Sequence, residues 1–202
     1  MLFDLPTPDA PWRGFSADPA AWLLVLAMAV FLRRSPVAVL LAAVVLVSPL
    51  SGLGRMLASG QAAQLLVAML LAGPAMAAAR PVAVAWPLLP LAVVAAHVPR
   101  LAELAWFHAP SLPAIIVLLA AWCFWRRGPA RLPMIALGAT LVAIGAALLS
   151  AGDILYPHHI EGAAIWGLPV MLDQRLAGLV LAVGAGLPLL ISGALLPRRP
   201  KT

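Results

Sequence analysis

An all-α, polytopic transmembrane helical bundle of about seven spans is the fold class that this sequence predicts, and three observations predict it. Of the 202 residues 64% are hydrophobic and only 10% are charged, where an ordinary soluble domain carries about a quarter. The mean hydropathy is +1.04. The apolar residues also fall into runs of membrane-crossing length, separated by charges or by proline and glycine. A helical span takes roughly 20 apolar residues, so a chain of this length holds at most about seven crossings and leaves no room for a sizeable soluble domain. The chain therefore reads as a single transmembrane domain, 1–202, with an outer N-terminal segment 1–18, an outer loop 151–173 and a basic cytoplasmic tail 197–202.

The candidate spans run 19–32, 36–53, 57–79, 82–98, 104–125, 132–150 and 174–196. The first is short. The third, sixth and seventh are rich in small residues, with Gly138 and Gly145 seven apart and so near one helical face, a pattern that lets helix backbones approach closely. Pro87 and Pro90 in the fourth, Pro110 and Pro113 in the fifth and Pro188 in the seventh are expected to kink or break their helices. Such breaks are tolerated in a bilayer only where neighbouring protein satisfies the freed backbone groups, which favours a packed bundle over independent helices.

With seven spans, Arg33, Arg34, Arg80, Arg126, Arg127, Arg131, Arg198, Arg199 and Lys201 fall on one side, and Arg13, Arg55, Arg100 and Arg175 on the other. All seven acids, Asp4, Asp9, Asp18, Glu103, Asp153, Glu161 and Asp173, share the side with fewer cations. The positive-inside rule then places the N-terminus outside and the C-terminus in the cytoplasm. The four histidines, His97, His108, His158 and His159, fall on the outer side with the carboxylates.

The net charge of +6 is explained by topology, so nucleic acid is not an expected partner; membrane lipid is. One cysteine, Cys123, excludes an intramolecular disulfide and a cysteine-pair metal motif. An N-terminus that opens on Asp4 and Asp9, not on a basic segment, predicts no cleavable leader. No internal repeat is evident and no span carries a charge at its middle, which counts against a two-half transporter or an ion pump. No nucleophile motif, phosphate loop or zinc motif appears, so enzymatic activity is not expected.

The chemistry-bearing candidates lie on the outer side. His158 and His159 stand in Leu-Tyr-Pro-His-His-Ile-Glu, residues 155–161; imidazole is the commonest metal ligand, but adjacent residues face different ways on a helix or strand, so the pair can share a metal only in an irregular loop. His108, beside a proline-broken turn, is a candidate for a ligand or a buried hydrogen bond, and His97 for an interfacial residue. The scattered methionines read as packing. Asp173-Gln174-Arg175 opens the seventh span, where an aspartate can cap the helix N-terminus and complement its dipole.

Three segments, in order, resemble the CtaG-type cytochrome c oxidase assembly factors, seven-span bacterial membrane proteins linked to copper insertion into haem-copper oxidases. Residues 40–79 resemble that family's Ser-Pro-Leu turn, its H-M-x-Q-H helix and its A-P-P-L-L end, through Ser48, Pro49, Leu50, Ser59, Gln64, Met69, Ala72 and Pro74. Residues 106–125 resemble its W-H-x-P segment through His108, Pro110, Leu112, Phe124 and Trp125. Residues 172–195 resemble its D-Q-x-x-A-G-L segment through Asp173, Gln174, Ala177, Gly178 and Leu179. Where the family motif has two histidines one helical turn apart, this chain has Gln61 and Leu65, and leucine offers copper no donor.

The resemblance implies a protein that supports assembly and copper-centre maturation of a haem-copper terminal oxidase, with oxidase or other respiratory-complex subunits as partners. It also implies copper as the associated metal, with His108, His158 and His159 as the outer-face groups to hold or relay it. The missing histidines point to an alternative, a permanent non-catalytic accessory subunit of a respiratory oxidase or supercomplex. A small-molecule transporter or channel is the third reading.

Overall fold

Proline sets a third of the α-helix starts among the described residues. Pro19, Pro36, Pro49 and Pro99 each occupy a first helical position, where a missing N–H costs nothing and φ is already fixed; they open α1 (Pro19–Phe31), α2 (Pro36–Leu46), α3 (Pro49–Met56) and α7 (Pro99–His108). The remaining helices are α4 (Ala58–Val67), α5 (Gly73–Ala79), α6 (Leu88–His97), α8 (Leu112–Phe124), α9 (Arg131–Ser150), α10 (Ile160–Ile165), α11 (Val170–Leu179) and α12 (Leu187–Leu195). The structure is a computed structural model and describes residues 6–16, 18–82 and 85–197; Asp4 and the cations of the expected basic tail lie outside them. Among the described residues the only β feature is an isolated bridge between Thr7 and Ala10.

Proline inside a span has a different result. Ala68–Ala72 widens into a π-helical turn just before Pro74, and Val180–Gly186 does so before Pro188. A mid-helix proline removes one hydrogen bond and crowds the carbonyl four residues back, and a wider turn relieves both. The helix therefore continues, giving uninterrupted stretches Ala58–Ala79 and Val170–Leu195.

Four helical stretches among the described residues are long and apolar enough to cross a membrane: Pro36–Met56, Ala58–Ala79, Arg131–Ser150 and Val170–Leu195. α6 and α7 together would make a fifth but are bent by 81°. α1 and α8 are shorter apolar helices of 13 residues each. The expected fifth span, 104–125, does not form as one helix: it divides into α7 and α8 at Ala109-Pro110-Ser111. Pro110 and Pro113 have no N–H for the helical ladder, and the residue before a proline is pushed out of the helical region; Ala109 is at φ −152°, ψ 68°. The same rule explains the bend, since Val98 precedes Pro99 and is extended. The expected fourth span is helical only from Leu88.

α9 packs along α11 and α12 through glycines. A Cβ on Gly145 would overlap the Gly178 carbonyl and one on Gly178 would overlap that of Gly145, while Gly138 and Gly186 meet in the same way one helical repeat further on. Without a hydrophobic drive between helices in lipid, such close backbone contact is what holds spans together. The outside of the bundle is as apolar as its core: Leu23, Leu40 and Leu195 are exposed, the last at 79%, which water would not tolerate over so many positions but lipid does.

The two ends of the bundle differ in chemistry. At one, Arg80 lies over the Phe31 ring at 3.8 Å, its carbonyl accepts from Trp122 Nε1 at 2.6 Å, and Arg131 donates to the last-turn carbonyl of Leu196 at 3.2 Å. The other gathers the start of α1, the α3–α4 joint, α7, the 151–169 loop and the start of α11, and holds the candidate site.

Candidate functional site

The site is a set of polar groups that satisfy backbone atoms left over at helix joints. The first joint is Ser48-Pro49, between α2 and α3. Pro49 has no N–H to give the Val45 carbonyl its helical bond, and that carbonyl instead accepts from Gln64 Nε2 at 2.6 Å. Ser48 Oγ donates to the Val44 carbonyl and accepts from Leu50 N at 3.1 Å, capping α3. The carbonyl that the proline leaves open is thus met by a side chain, as a backbone at membrane depth requires.

The second joint is Leu57, between α3 and α4. Asp173, fully buried, accepts from Ala58 N at 2.7 Å, from Ser59 N at 3.1 Å and from Ser59 Oγ. The sequence leads one to expect this aspartate to cap its own helix. It sits in the first turn of α11 as expected, but its carboxylate caps α4, a helix 115 residues earlier in the chain. The reason is geometric: α11 already has its first turn closed by the Pro169 carbonyl, which accepts from Leu172 N and Asp173 N, whereas α4 begins with Leu57, which has no side-chain acceptor.

Gln174, also buried, secures the 151–169 loop by accepting from Leu155 N at 2.8 Å and donating to the Asp153 carbonyl at 3.2 Å. Tyr156 then reaches the last turn of α6, donating to the His97 carbonyl at 3.0 Å; burial pushes its phenol up to about 12. His97 itself is half-buried, with Nδ1 2.8 Å from the Val93 carbonyl of its own helix.

His158 and His159 lie on a single 3₁₀ turn, Pro157–His159, with ring centroids 4.4 Å apart. His159 is buried; its Nδ1 is 3.2 Å from the Arg55 carbonyl and its Nε2 is 3.4 Å from the Gln61 side-chain oxygen. Burial, and next the neighbouring His158, push it down to about 3, so the ring is neutral at physiological pH. A neutral ring donates through one nitrogen only. Nδ1 donates to the Arg55 carbonyl, and the Gln61 amide, whose oxygen and nitrogen are interchangeable by a flip, offers its NH₂ to Nε2.

His158 stacks against Trp106 at 5.1 Å, and its Nδ1 is buried with no hydrogen-bond partner among the described residues. Burial lowers its pKa, opposed by Glu103. Beside it is a cavity of about 20 Å³ lined by Ser51, Arg55, Gln61, Gln64 and Trp106, room for about one water molecule. Arg55 donates from one Nη to Ser16 Oγ at 3.3 Å and to Ser111 Oγ at 3.4 Å, tying the N-terminal segment and the start of α8 to the α3–α4 joint.

His108, by contrast, is exposed at the end of α7, with Pro110 in the break that follows. Among the described residues no three His, Cys, Asp or Glu side chains converge to hold a metal ion, so His108, His158 and His159 are not brought together as a set. The donor set does not fit a copper centre: His159 has both nitrogens engaged, and His158 offers one. Gly178 serves as the close contact with Gly145, and Pro74 follows the π turn of the third span. Three members of the site carry no sequence motif: Arg55, Gln61 and Tyr156. That Tyr156 is the only tyrosine in the chain, placed beside two histidines in a polar loop, was the one available signal.

Fold and site together define the class: an all-helical protein with several membrane-length helices and a hydrogen-bonded polar cluster at one end. Compared with protein-family models, curated proteins and solved structures, the chain matches none.

Proposed function

We propose that the chain is a seven-crossing membrane protein of the oxidase-assembly type, acting as a folded scaffold at the outer face of a bacterial inner membrane. The carrying observation is that two positions behind the family resemblance from separate segments, Ser59 and Asp173, are direct partners, and that within the first segment Gln64 and Pro49 serve one joint. A set of residues that meet in space is what a shared scaffold predicts, and chance likeness of apolar segments does not.

Two facts support the crossing count. The carboxylate-bearing end contacts the start of α1, the end of α3 and the start of α8 through Arg55 and Ser16, and the opposite end joins the end of α1, Arg80 and the end of α8. α1, α6 and α8 then cross as short helices, and α7, turned 81° from α6, lies along the outer surface. Nine cations against four and the position of the acids support an outside N-terminus. The orientation is tested by single cysteines at Gly152 and Arg33 in a Cys123→Ala background. An impermeant thiol reagent applied to intact cells is expected to label the first and spare the second.

Deleting the gene is expected to lower the amount of spectroscopically complete haem-copper oxidase without lowering synthesis of its subunits; an unchanged oxidase spectrum would sink the reading. The poor fit of the histidines to copper favours a second form of it, a permanent accessory subunit whose metal site is lost. Retention at fixed ratio in the purified mature oxidase supports the subunit, and absence from it supports the assembly factor.

A further inference from the structure

α7 crosses the outer end of the bundle with Leu101, Leu104 and Phe107 exposed, and beneath it, between α6 and α8, runs an apolar groove of about 340 Å³ lined by Ala92, Ala96, Leu101, Ala105, Leu112 and Ile116. Alanines form much of its wall, and Leu101, Leu112 and Ile116 border the space they leave. His108, Ala109 and Leu112 also line a second cleft, of about 470 Å³, between α1 and α8. That cleft is polar at one side, with Asp18 and Arg55 both half-buried in its wall.

These two charges are close enough for Asp18 to act on Arg55, yet among the described residues Arg55 has no ion-pair partner and only two long bonds to serine hydroxyls. Asp18 accepts one bond, from Ala20 N at 2.9 Å, which leaves its second oxygen open. A half-buried cation and anion held apart in one cleft match a ligand that carries both signs, and a lone anion or cation would meet repulsion from one of them. The adjoining apolar groove requires that the ligand also have a chain of hydrocarbon.

We propose that this outer mouth binds one phospholipid with a primary-ammonium zwitterionic headgroup, a phosphatidylethanolamine, its phosphate on Arg55, its ammonium on Asp18 and one acyl chain under α7. Arg55 supplies charge-assisted N–H donors to the phosphate, and the ammonium donates hydrogen bonds that a quaternary amine cannot. The chain passes over the His108–Leu112 saddle into the groove. The lipid would then cover the α7–α8 break, where proline leaves the backbone most open.

The test is lipid-dependent thermal stabilisation of the full chain in detergent, titrated separately with dioleoyl phosphatidylethanolamine, phosphatidylcholine and phosphatidylglycerol. Stabilisation grows with ligand concentration over Kd, so half-saturation ranks the lipids. Phosphatidylethanolamine is expected to bind about tenfold tighter than the other two, the effect of one charge-assisted hydrogen bond. Asp18→Asn is expected to remove that preference while leaving phosphatidylglycerol binding equal or better, and Arg55→Gln to weaken all three. Ala96→Phe, which fills the groove without touching a charge, is expected to weaken all three alike and keeps the test alive if Arg55→Gln does not fold. Equal half-saturation for the three lipids, a preference for phosphatidylglycerol in the wild type, or indifference to Asp18→Asn and Ala96→Phe would overturn the proposal.

Discussion

Asp173→Ala removes the side chain that serves the start of α4, and its cost follows from the bonds it breaks. Ala58 N loses its acceptor in a buried site and Ser59 N in a half-buried one. The lost cap consists of these two N–H groups, each costing about 1–3 kcal/mol when left unsatisfied, so the total is about 2–6 kcal/mol. At roughly 2–4 °C per kcal/mol for a chain of this size, thermal unfolding in detergent is expected about 10 °C below wild type. Asp173→Asn keeps one acceptor and turns an NH₂ toward an N–H, which makes about half that loss. Ser59→Ala gives up only the hydroxyl bond, about 1 kcal/mol. The double substitution Ser59→Ala/Asp173→Ala is expected to cost less than the two singles added, because the second change finds the bond already gone. If Asp173 merely capped its own helix, asparagine would replace it almost without cost, asparagine being an equally good cap, and Ser59→Ala would be silent. Asp173→Asn within about 1 °C of wild type, measured as a Tm shift, together with additive behaviour of the pair, would refute the cross-chain cap.

Gln64→Leu strands the Val45 carbonyl and is expected to cost about 1–3 kcal/mol; in a Pro49→Ala background, where an N–H becomes available to that carbonyl, the same change is expected to cost measurably less in a thermal-unfolding cycle. Gly145→Leu and Gly178→Leu each drive a side chain into the facing backbone and are expected to lower Tm more than any single loss of a hydrogen bond, with Gly145→Ala in the range of about 1–3 kcal/mol. His159 has a folded pKa of about 3, below its ordinary 6.5, so the unfolded chain takes up a proton in this interval and the folded chain does not. Stability is therefore full above pH 6.5 and falls as pH drops through the interval toward 3, by about 2 kcal/mol at pH 5. His159→Gln is expected to flatten the Tm profile between pH 7 and 5, and an unchanged slope in that variant would count against a neutral buried imidazole.

The helices were legible where the apolar runs were interrupted by charge, because a span ends where its residues must meet water. They were less legible at proline, since one residue type gives three outcomes in this chain. At Pro36 it starts a helix, at Pro188 it follows a widened turn inside one, and at Pro110 it breaks one into α7 and α8. The difference lies in how the freed carbonyl is accommodated, by a widened turn before Pro188 and by Gln64 at Pro49, and that accommodation is a property of the fold. The site shows the same division. Asp173 and Gln174 were recognisable as a concentrated polar pair, but the receiver of Asp173 lies in a segment more than a hundred residues away, and no local pattern points to it. Arg55 read as a topology signal, and its tie to Ser16 and Ser111 depends on three elements meeting.

That division bears on how the chemistry is to be read. In a chain with so few polar side chains at depth, most that are buried are first required by the backbone: Gln64 by Pro49, Asp173 by the open start of α4, His159 by the last carbonyls of α3, Gln174 by the loop. Among the described residues that line the cavity beside Trp106, those demands leave the orphaned Nδ1 of His158 and the guanidinium of Arg55 with its long serine bonds uncommitted. Both border the same 20 Å³ cavity, and a bound water donating to Nδ1 would satisfy the first at the cost of one ordered molecule. The functional question thereby narrows from four histidines to one cavity edge. His158→Phe, which keeps the stacking on Trp106 and deletes the nitrogen, is expected to leave Tm equal or higher, because removing an unsatisfied buried acceptor is nearly neutral or stabilising. If it also leaves oxidase assembly intact, the histidine is structural filling; if assembly is lost from a protein that still folds as well as wild type, the Nδ1 is held open for a partner, and stability will have been given up for that purpose.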